Sequence, residues 1–281
     1  MAVPIQAPDL SANHPHHSNR IRVVTYNVHK CRGLDGRVRP ERILRVLSEI
    51  DADVIALQEV IGREGARADH HQARYLADHL GYSCELGVNR RHRGGAYGNA
   101  LLSRKPIRHV RNHDISVPGR ERRGCLQAEI EWPGATVHIF NLHLGTAFFE
   151  RRIQARRLFD GQVFRTEESS GHKIVLGDFN EWTRGLASRM FRTHFETAHS
   201  HMRRARTFPG LLPVLPLDHI YFDRKLRLEN VRIHRSPASL VASDHLPIVA
   251  EFAVPQSSAE QAGNSIWAHA GQPTLTVSHR H

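Results

Sequence analysis

The chain has few of the features that mark a disulfide-stabilised, secreted or membrane-spanning protein. Its 281 residues contain only three cysteines, Cys31, Cys84 and Cys125, which are spaced too widely for a zinc knuckle or a disulfide framework. No stretch approaches the roughly 20 apolar residues that cross a bilayer. The N-terminus lacks the basic start and apolar core of a secretory signal. The sequence therefore predicts small buried thiols, no transmembrane segment and a reduced, cytoplasmic location.

Negative charge and aromatic side chains are also scarce. The chain has 28 Asp and Glu against 39 Lys and Arg, which gives a formal net charge of +11, and nearly all of the positive charge is arginine. A guanidinium group binds phosphate oxygens in a bidentate manner, so the excess suits a phosphate-bearing partner. A generally basic surface explains it equally well. Aromatic residues make up 7% of the chain, which does not favour stacking on nucleic-acid bases.

The pattern along the chain indicates one domain between two polar ends. Residues 1–19 and 255–281 are rich in Pro, Ser, His and Gln and are predicted to be a disordered lead and a disordered tail. Between them, residues 20–254 show alternating strand-like and helix-like segments, with helices predicted at residues 39–50 and 68–81. Four strand-like segments then follow one another from about residue 98, as in a strand meander. The mixed order indicates an α/β protein with largely antiparallel sheets.

Polar side chains stand at or near the ends of several apolar strands. They are Asn27, Glu59, Asn141, His143, Asp178, Asn180, Asp218, Asp244 and His245. Each has an ordinary structural explanation by itself, such as a turn cap, an Asx-turn or a hydrogen-bonded core histidine. Together they are harder to explain that way, because buried carboxylates are costly unless they are paired or bind a metal.

The chemistry of this set is coherent. Asn27, Glu59, Asp178, Asn180 and Asp244 offer oxygen ligands, which suit Mg²⁺ or Mn²⁺ in a partly open site. Two imidazoles, His143 and His245, exchange protons near neutral pH, and Asp218 is an acid that can orient one of them.

The ordered series TYNVH, LQEV, YGNALLSR, NLHL, GDFN, LDHIY and SDHLP resembles the endonuclease/exonuclease/phosphatase superfamily of deoxyribonuclease-like, metal-dependent phosphoesterases. The resemblance extends over about residues 20–254. It implies a four-layer α/β sandwich in which two mixed, largely antiparallel sheets pack face to face with helices outside. It also places the active site at the edge of the sandwich where the strand ends converge.

The resemblance assigns expected roles to individual residues. Asn27 and Glu59 are expected at the metal, with Asp244 contributing directly or through water. Asp178 and Asn180 are expected beside the scissile phosphate and the attacking water. His143 contacts a phosphate oxygen. Asp218 hydrogen-bonds His245, which takes a proton from water as the general base, in the way that a carboxylate supports the histidine of a Ser-His-Asp triad.

Three further residues are expected to contact the substrate phosphate: Tyr97, Asn99 and Arg123, the last chosen from the pair Arg122–Arg123. A turn role for Gly98–Asn99 is equally consistent with the sequence. His29 stands where some nuclease members have an acid, which argues against a second metal at that position.

The loops decide the substrate, and they leave two classes open. Basic segments at residues 89–95, 119–124 and 202–210 are predicted loops that suit a nucleic-acid backbone, and a nuclease or DNA-repair-type phosphodiesterase is slightly favoured. The same arginines suit a phospholipid, sphingomyelin or inositol-phosphate headgroup. The Pro-rich apolar segment at residues 207–219 either touches an acyl chain or is simply packed, and packing is favoured. A catalytically silent binding module is a third hypothesis, and no protein partner is indicated.

Overall fold

The computed structural model describes residues 19–63, 70–92, 94–164, 171–182, 185–203 and 205–255. The predicted lead and tail lie outside these ranges, apart from Asn19 and Pro255, and so does the start of the helix predicted at residues 68–81. Among the described residues, no helix combines the length and the apolar composition that a bilayer crossing requires.

Twelve strands and five helices form in the described ranges. The strands are β1 (Arg20–Asn27), β2 (Val54–Gly62), β3 (Ser83–His92), β4 (Gly95–Ser103), β5 (Ile107–Asp114), β6 (Gly124–Trp132), β7 (Ala135–His143), β8 (His172–Asp178), β9 (Glu196–Thr197), β10 (Asp218–Phe222), β11 (Arg227–Ile233) and β12 (Ile248–Ala253). The helices are α1 (Pro40–Ile50), α2 (Gln72–Leu80), α3 (Phe148–Asp160), α4 (Leu186–His194) and α5 (Ser239–Ala242).

The strands build two six-stranded mixed sheets. The first sheet has the order β11-β12-β1-β2-β4-β3, and the second has the order β5-β6-β7-β8-β10-β9. Only the central pairs β1–β2 and β7–β8 are parallel; the other pairs are antiparallel. This arrangement confirms the mixed, largely antiparallel sheets that the resemblance implied.

Apolar side chains fill three interfaces between four layers. Alternate residues of β1 face opposite ways: Ile21 and Val23 pack between the two sheets, whereas Val24 and Tyr26 pack against helices α1 and α2. Helices α3 and α4 cover the second sheet through a cluster that includes Phe191. Because both faces of each sheet are buried, the central strands are apolar almost throughout.

The strands differ from the sequence prediction at three points. Residues 83–92 form strand β3, so the predicted basic loop at residues 89–95 begins inside a strand; an Arg- and Asn-rich edge strand gives no apolar alternation to detect. The predicted four-strand meander is divided, because β4 belongs to the first sheet and only β5, β6 and β7 form a meander in the second. Gly98 and Asn99 lie within β4, which excludes a turn role for them.

The cysteines are free thiols, as the sequence predicted. Cys31 and Cys125 are buried, Cys84 is half-buried, and burial raises the pKa of all three. The cytoplasmic location inferred from them stays a prediction.

One buried amide joins the two sheets. Asn141 on β7 donates through Nδ2 to the carbonyl oxygens of Leu57 (3.0 Å) and Ala100 (2.8 Å) in the first sheet. Its Oδ1 accepts from Nε2 of Gln58 at 2.8 Å. The side chain is fully buried, so all three bonds are made in an environment where an unpaired polar group is costly.

We expect Asn141→Ala to lower the free energy of unfolding by at least about 3 kcal/mol, since it removes three buried hydrogen bonds and leaves their partners unsatisfied. Urea unfolding followed by circular dichroism measures the change. The matched control is Asn230→Ala, on the exposed side of β11, which should change stability little. Equal midpoints for the two variants would show that Asn141 does not hold the sheets together.

Candidate active site

Three of the expected catalytic side chains stand next to each other on neighbouring strands of the second sheet. Asp178 at the end of β8 is the register partner both of His143 at the end of β7 and of Asp218 at the start of β10. Because β10 is antiparallel to β8, its first residue meets the edge at which β7 and β8 end. Asp218 therefore begins a strand, whereas the other two residues end one.

Asn27 and Glu59 bring the first sheet to the same edge. Strand β2 bulges where it pairs with β4, and Glu59 within this bulge has φ of +59°, a left-handed conformation that is rare for a non-glycine residue. Nδ2 of Asn27 donates to Oδ2 of Asp178 at 2.9 Å and lies 3.4 Å from Oε1 of Glu59. The amide thus connects carboxylates from both sheets.

His245 forms a buried pair with Asp218. Nδ1 of His245 lies 2.8 Å from Oδ2 of Asp218, and its Nε2 lies 3.8 Å from Oδ2 of Asp178. The preceding Ser243 accepts from the His245 backbone N–H and donates to the Asn27 carbonyl oxygen at 2.8 Å. Burial opposes the protonated form, yet Asp218 and Asp178 outweigh it and raise the pKa of His245 to about 10.

His143 is neutral and is held by an arginine. Nη1 of Arg123 donates to Nδ1 of His143 at 3.0 Å, and Nε2 of His143 lies 3.6 Å from Oδ2 of Asp178. Burial and the nearby guanidinium hold the pKa of His143 well below its usual value. Arg123 is itself buried and pairs with Glu121 at 3.0 Å.

Asp178 lies at the centre of these contacts. Its Oδ1 accepts the backbone N–H of Asn180 at 2.8 Å, and Asn180, with φ of +49°, donates its own side chain to the Leu144 carbonyl oxygen at 2.9 Å. Burial, opposed by His245 and reinforced by Asp218, raises the pKa of Asp178 to about 6. Asp178, Asp218 and His245 place one ligand atom each within 4.8 Å of the others.

Sequence reasoning missed Lys30. Its ammonium group makes a short ion pair with Oε2 of Glu59 and lies 5.5 Å from the centre of the Tyr97 ring. Burial favours the neutral acid, but His143 and Lys30 outweigh it and lower the pKa of Glu59 to about 2. The ion pair with Lys30 is the direct contact that stabilises the ionised Glu59 carboxylate. The available signal was its position in NVHK, three residues after Asn27.

The remaining expected residues are less open to a ligand. Asn99 is fully buried and donates to the carbonyl oxygens of Gly124 and Asn141. Tyr97 is almost buried under the guanidinium of Arg90, which lies 4.3 Å from the ring centre. Asp244 is partly exposed, and its Oδ1 lies 3.5 Å from Nδ1 of His29.

The donor set fits a hard divalent cation. Glu59 and Asp244 are partly open carboxylates, and the buried Oδ1 of Asp218 has no hydrogen-bond partner among the described residues. The Oδ1 of Asn27 accepts the His29 backbone N–H at 3.0 Å, while its Nδ2 faces Glu59 and Asp178. No thiol reaches this edge as a ligand within those ranges. Mg²⁺ and Mn²⁺ prefer such oxygen ligands. The contact between Lys30 and Glu59 shows that this carboxylate already attracts a cationic group.

Comparisons with known proteins show the family of this chain. The sequence profile of the Endonuclease/Exonuclease/phosphatase family matches residues 24–245. The uncharacterized protein YbhP of Escherichia coli K12 is 33% identical over 255 residues, which cover 82% of this chain and 95% of YbhP.

Solved structures share the fold at low identity. The mannosyl-6-phosphatase of Bacteroides thetaiotaomicron superposes with a TM-score of 0.69 at 17% identity, covering 83% of this chain and 99% of that one. The catalytic domain of human nocturnin, solved with a bound sulfate anion, superposes with a TM-score of 0.65 at 19% identity, covering 83% and 93%.

We expect Lys30→Gln to bind Mn²⁺ at least about tenfold more tightly than the wild-type protein, because repulsion between like charges a few ångströms apart near a protein surface is worth on the order of 4 kcal/mol before screening. Titration followed by the electron paramagnetic resonance signal of free Mn²⁺ measures the affinity without any turnover. Lys225→Gln, an exposed lysine in the turn between β10 and β11, is the matched control. Weaker binding by Lys30→Gln would mean that Lys30 supports the ion site.

Proposed function

Because the chain belongs to the endonuclease/exonuclease/phosphatase family, whose members are phosphoesterases, we propose that it is a divalent-metal-dependent phosphodiesterase that uses His245 to activate water. The single observation that carries the proposal is the buried His245–Asp218 pair, whose outer nitrogen faces Asp178. The pair is fixed between the two sheets at the edge where the carboxylates converge.

Each residue of the site has a role that its contacts support. The Nδ1–H of His245 donates to Asp218, so Nε2 is the atom that takes a proton from water. Asp218 fixes that tautomer and stabilises the imidazolium as it forms. Asp178, oriented by Asn27 and by the backbone of Asn180, accepts a hydrogen bond from the same water.

Arg123 holds His143 beside Asp178, where both face a phosphate oxygen.

Glu59, Asn27 and Asp244 are the residues that would hold Mg²⁺ or Mn²⁺. When bound, the ion supplies positive charge that offsets the charge developing on the phosphate and leaving oxygens. A cation at Glu59 also opposes the high proton affinity of His245 by like-charge repulsion. The neutral imidazole that a general base requires is then favoured.

The contacts of the arginines weaken the case for a nucleic-acid track at residues 89–95 and 119–124. Arg90 pairs with Glu121 at 2.8 Å and stacks on Tyr97, and Arg123 is buried between Glu121 and His143. Arg93 lies outside the described residues.

Tyr97 and Arg123 therefore act mainly by positioning His143 and Lys30. Asn99 holds the backbone of β6 beneath them.

We expect turnover of bis(4-nitrophenyl) phosphate to disappear in EDTA and to return with Mg²⁺ or Mn²⁺. The Glu59→Gln variant should need a far higher metal concentration to reach the same rate, because the side chain that attracts the ion has lost its charge. Glu131→Gln, an exposed acid on β6, is the matched control and should behave like the wild-type protein. Undiminished activity in EDTA would sink the proposal, and no turnover of any phosphodiester would favour a silent binding module.

We expect His245→Ala to lower kcat by roughly 10²–10⁴-fold, the range for a positioned general base. Asp218→Asn should also lower kcat, since it leaves the imidazole poorly oriented. Because the two side chains act as a unit, the double variant should be little worse than the worse single variant. Steady-state kinetics at saturating metal provide the comparison. Losses that multiply in the double variant would instead show that Asp218 has a separate structural purpose.

A further inference from the structure

An apolar hairpin projects from the protein beside the candidate active site. Residues Phe208 and Leu215 pair across its base, and the backbone N–H groups of Val214 and Leu215 both donate to the Phe208 carbonyl oxygen at 2.8 Å. At its tip, Leu211 is 61% exposed, Leu212 is 75% exposed and Val214 is 50% exposed. The packed segment expected from the sequence is thus wrong for the tip, which presents apolar surface to the solvent.

The base of this hairpin is bonded to the segment that carries His245. The Phe208 ring lies 5.0 Å from the His245 ring, centre to centre. The Gly210 N–H donates to the Asp244 carbonyl oxygen at 2.6 Å, and the Leu246 N–H donates to the Thr207 carbonyl oxygen at 2.9 Å. Whatever the tip contacts is therefore held next to the catalytic histidine.

Arginines line the two clefts beside the hairpin. A cleft of about 630 Å³ lies between the tip and β11, and Arg203, Arg206, Arg232 and Arg235 line it. None of the described residues that line it is acidic. Arg203 and Arg206 have no ion-pair partner within the described ranges, so their charges face solvent beside Leu212.

The same two arginines continue the surface toward β8. Arg203 and Arg206 also line a second cleft of about 540 Å³, whose walls include Trp182 and His219. Trp182 is 55% exposed and follows Asn180 by two residues, whereas His219 follows Asp218 directly. The two clefts share Arg203 and Arg206, so the exposed indole, the two guanidinium groups and the apolar hairpin lie along one connected stretch of surface.

We propose that this surface docks on an anionic phospholipid bilayer and that the phosphodiester hydrolysed is that of a phospholipid headgroup. The inference rests on the proposed function and names its substrate class. Leucine and valine side chains enter the acyl boundary, tryptophan settles at the headgroup level, and arginines bind lipid phosphates. A duplex nucleic acid offers phosphates to the arginines but no apolar partner for Leu211 and Leu212. A bilayer supplies both the apolar interior for the hairpin tip and the closely spaced phosphates for the arginines.

Co-sedimentation with vesicles tests the docking. The wild-type protein should bind vesicles of equimolar phosphatidylcholine and phosphatidylglycerol. It should bind vesicles of phosphatidylcholine alone only weakly. Leu211→Ser/Leu212→Ser should lose at least about tenfold in partition constant, since burying even one leucine is worth about that factor. Arg203→Gln/Arg206→Gln should lose about fivefold per arginine, and only on the anionic vesicles. Thermal melting confirms that each variant is folded.

Matched controls are Val110→Ser and Arg108→Gln, both on the edge strand β5, where Val110 is 41% exposed. They should bind vesicles like the wild-type protein. Binding that persists in the leucine variant, or that is equal on neutral vesicles, overturns the docking. The docking is also overturned if duplex DNA displaces the protein from vesicles, and if the affinity of the protein for DNA falls in the arginine variant but not in the leucine variant.

Product release from the same vesicles separates this inference from the proposed function. With Mg²⁺, phosphorus nuclear magnetic resonance should show a phospholipid headgroup product. Turnover of bis(4-nitrophenyl) phosphate without any vesicle binding overturns the inference and leaves the proposed function standing. Vesicle binding with small-ester turnover but no lipid product overturns the substrate class. Absence of all phosphodiester turnover, with metal present, overturns the proposed function itself.

Discussion

The hydrogen bond from the Asn27 amide to the Asp178 carboxylate, 2.9 Å long, joins the two sheets at the edge where the site forms. It requires β1 and β8 to end opposite each other, and that in turn requires the inter-sheet core to hold the strands in register. The Asn141 side chain, which donates to Leu57 and Ala100 of the other sheet, fixes this register from below. The geometry of the site is therefore a property of sheet packing, and loop substitutions that change the substrate need not disturb it.

Charge balance explains why so many ionisable groups stay buried together. Glu59, Asp178, Asp218 and Asp244 bring four carboxylates to one edge, and burial without compensation would force some of them to bind protons. The protein compensates with Lys30 at Glu59 and with the raised proton affinity of His245 beside Asp218. In both cases a positive charge neutralises a carboxylate, and a divalent cation can supply that charge instead. The free protein is thus balanced by its own cations, and the metal ion of the proposed function would exchange one neutralising charge for another.

The sequence pattern predicted mixed, largely antiparallel sheets, and the family resemblance implied the sandwich. The pattern also grouped the polar residues that the structure brings to one edge, because polar residues at the ends of apolar strands are easy to recognise; their roles stay predictions. The sequence did not predict how Glu59 reaches the site, because a glutamate gives no sign that its backbone will adopt the left-handed conformation of a bulge. The contact of Lys30 was hidden because it depends on three consecutive residues with positive φ after Val28. The exposure of Leu212 was hidden for a different reason: apolar residues in a Pro-rich loop are usually buried, and only the backbone pairing at Phe208 makes this loop project.

The hairpin base joins the exposed apolar tip directly to the segment that carries His245. The chain that forms the apolar tip returns through Leu217 into Asp218, the partner of His245, and its outgoing arm carries Phe208 against the His245 ring. An enzyme whose substrate is dissolved in water gains nothing from apolar side chains beside its general base, since they promote aggregation. For a substrate held in a bilayer, exposed apolar side chains are an advantage instead, because they bring the imidazole to the membrane surface where the reacting phosphate lies.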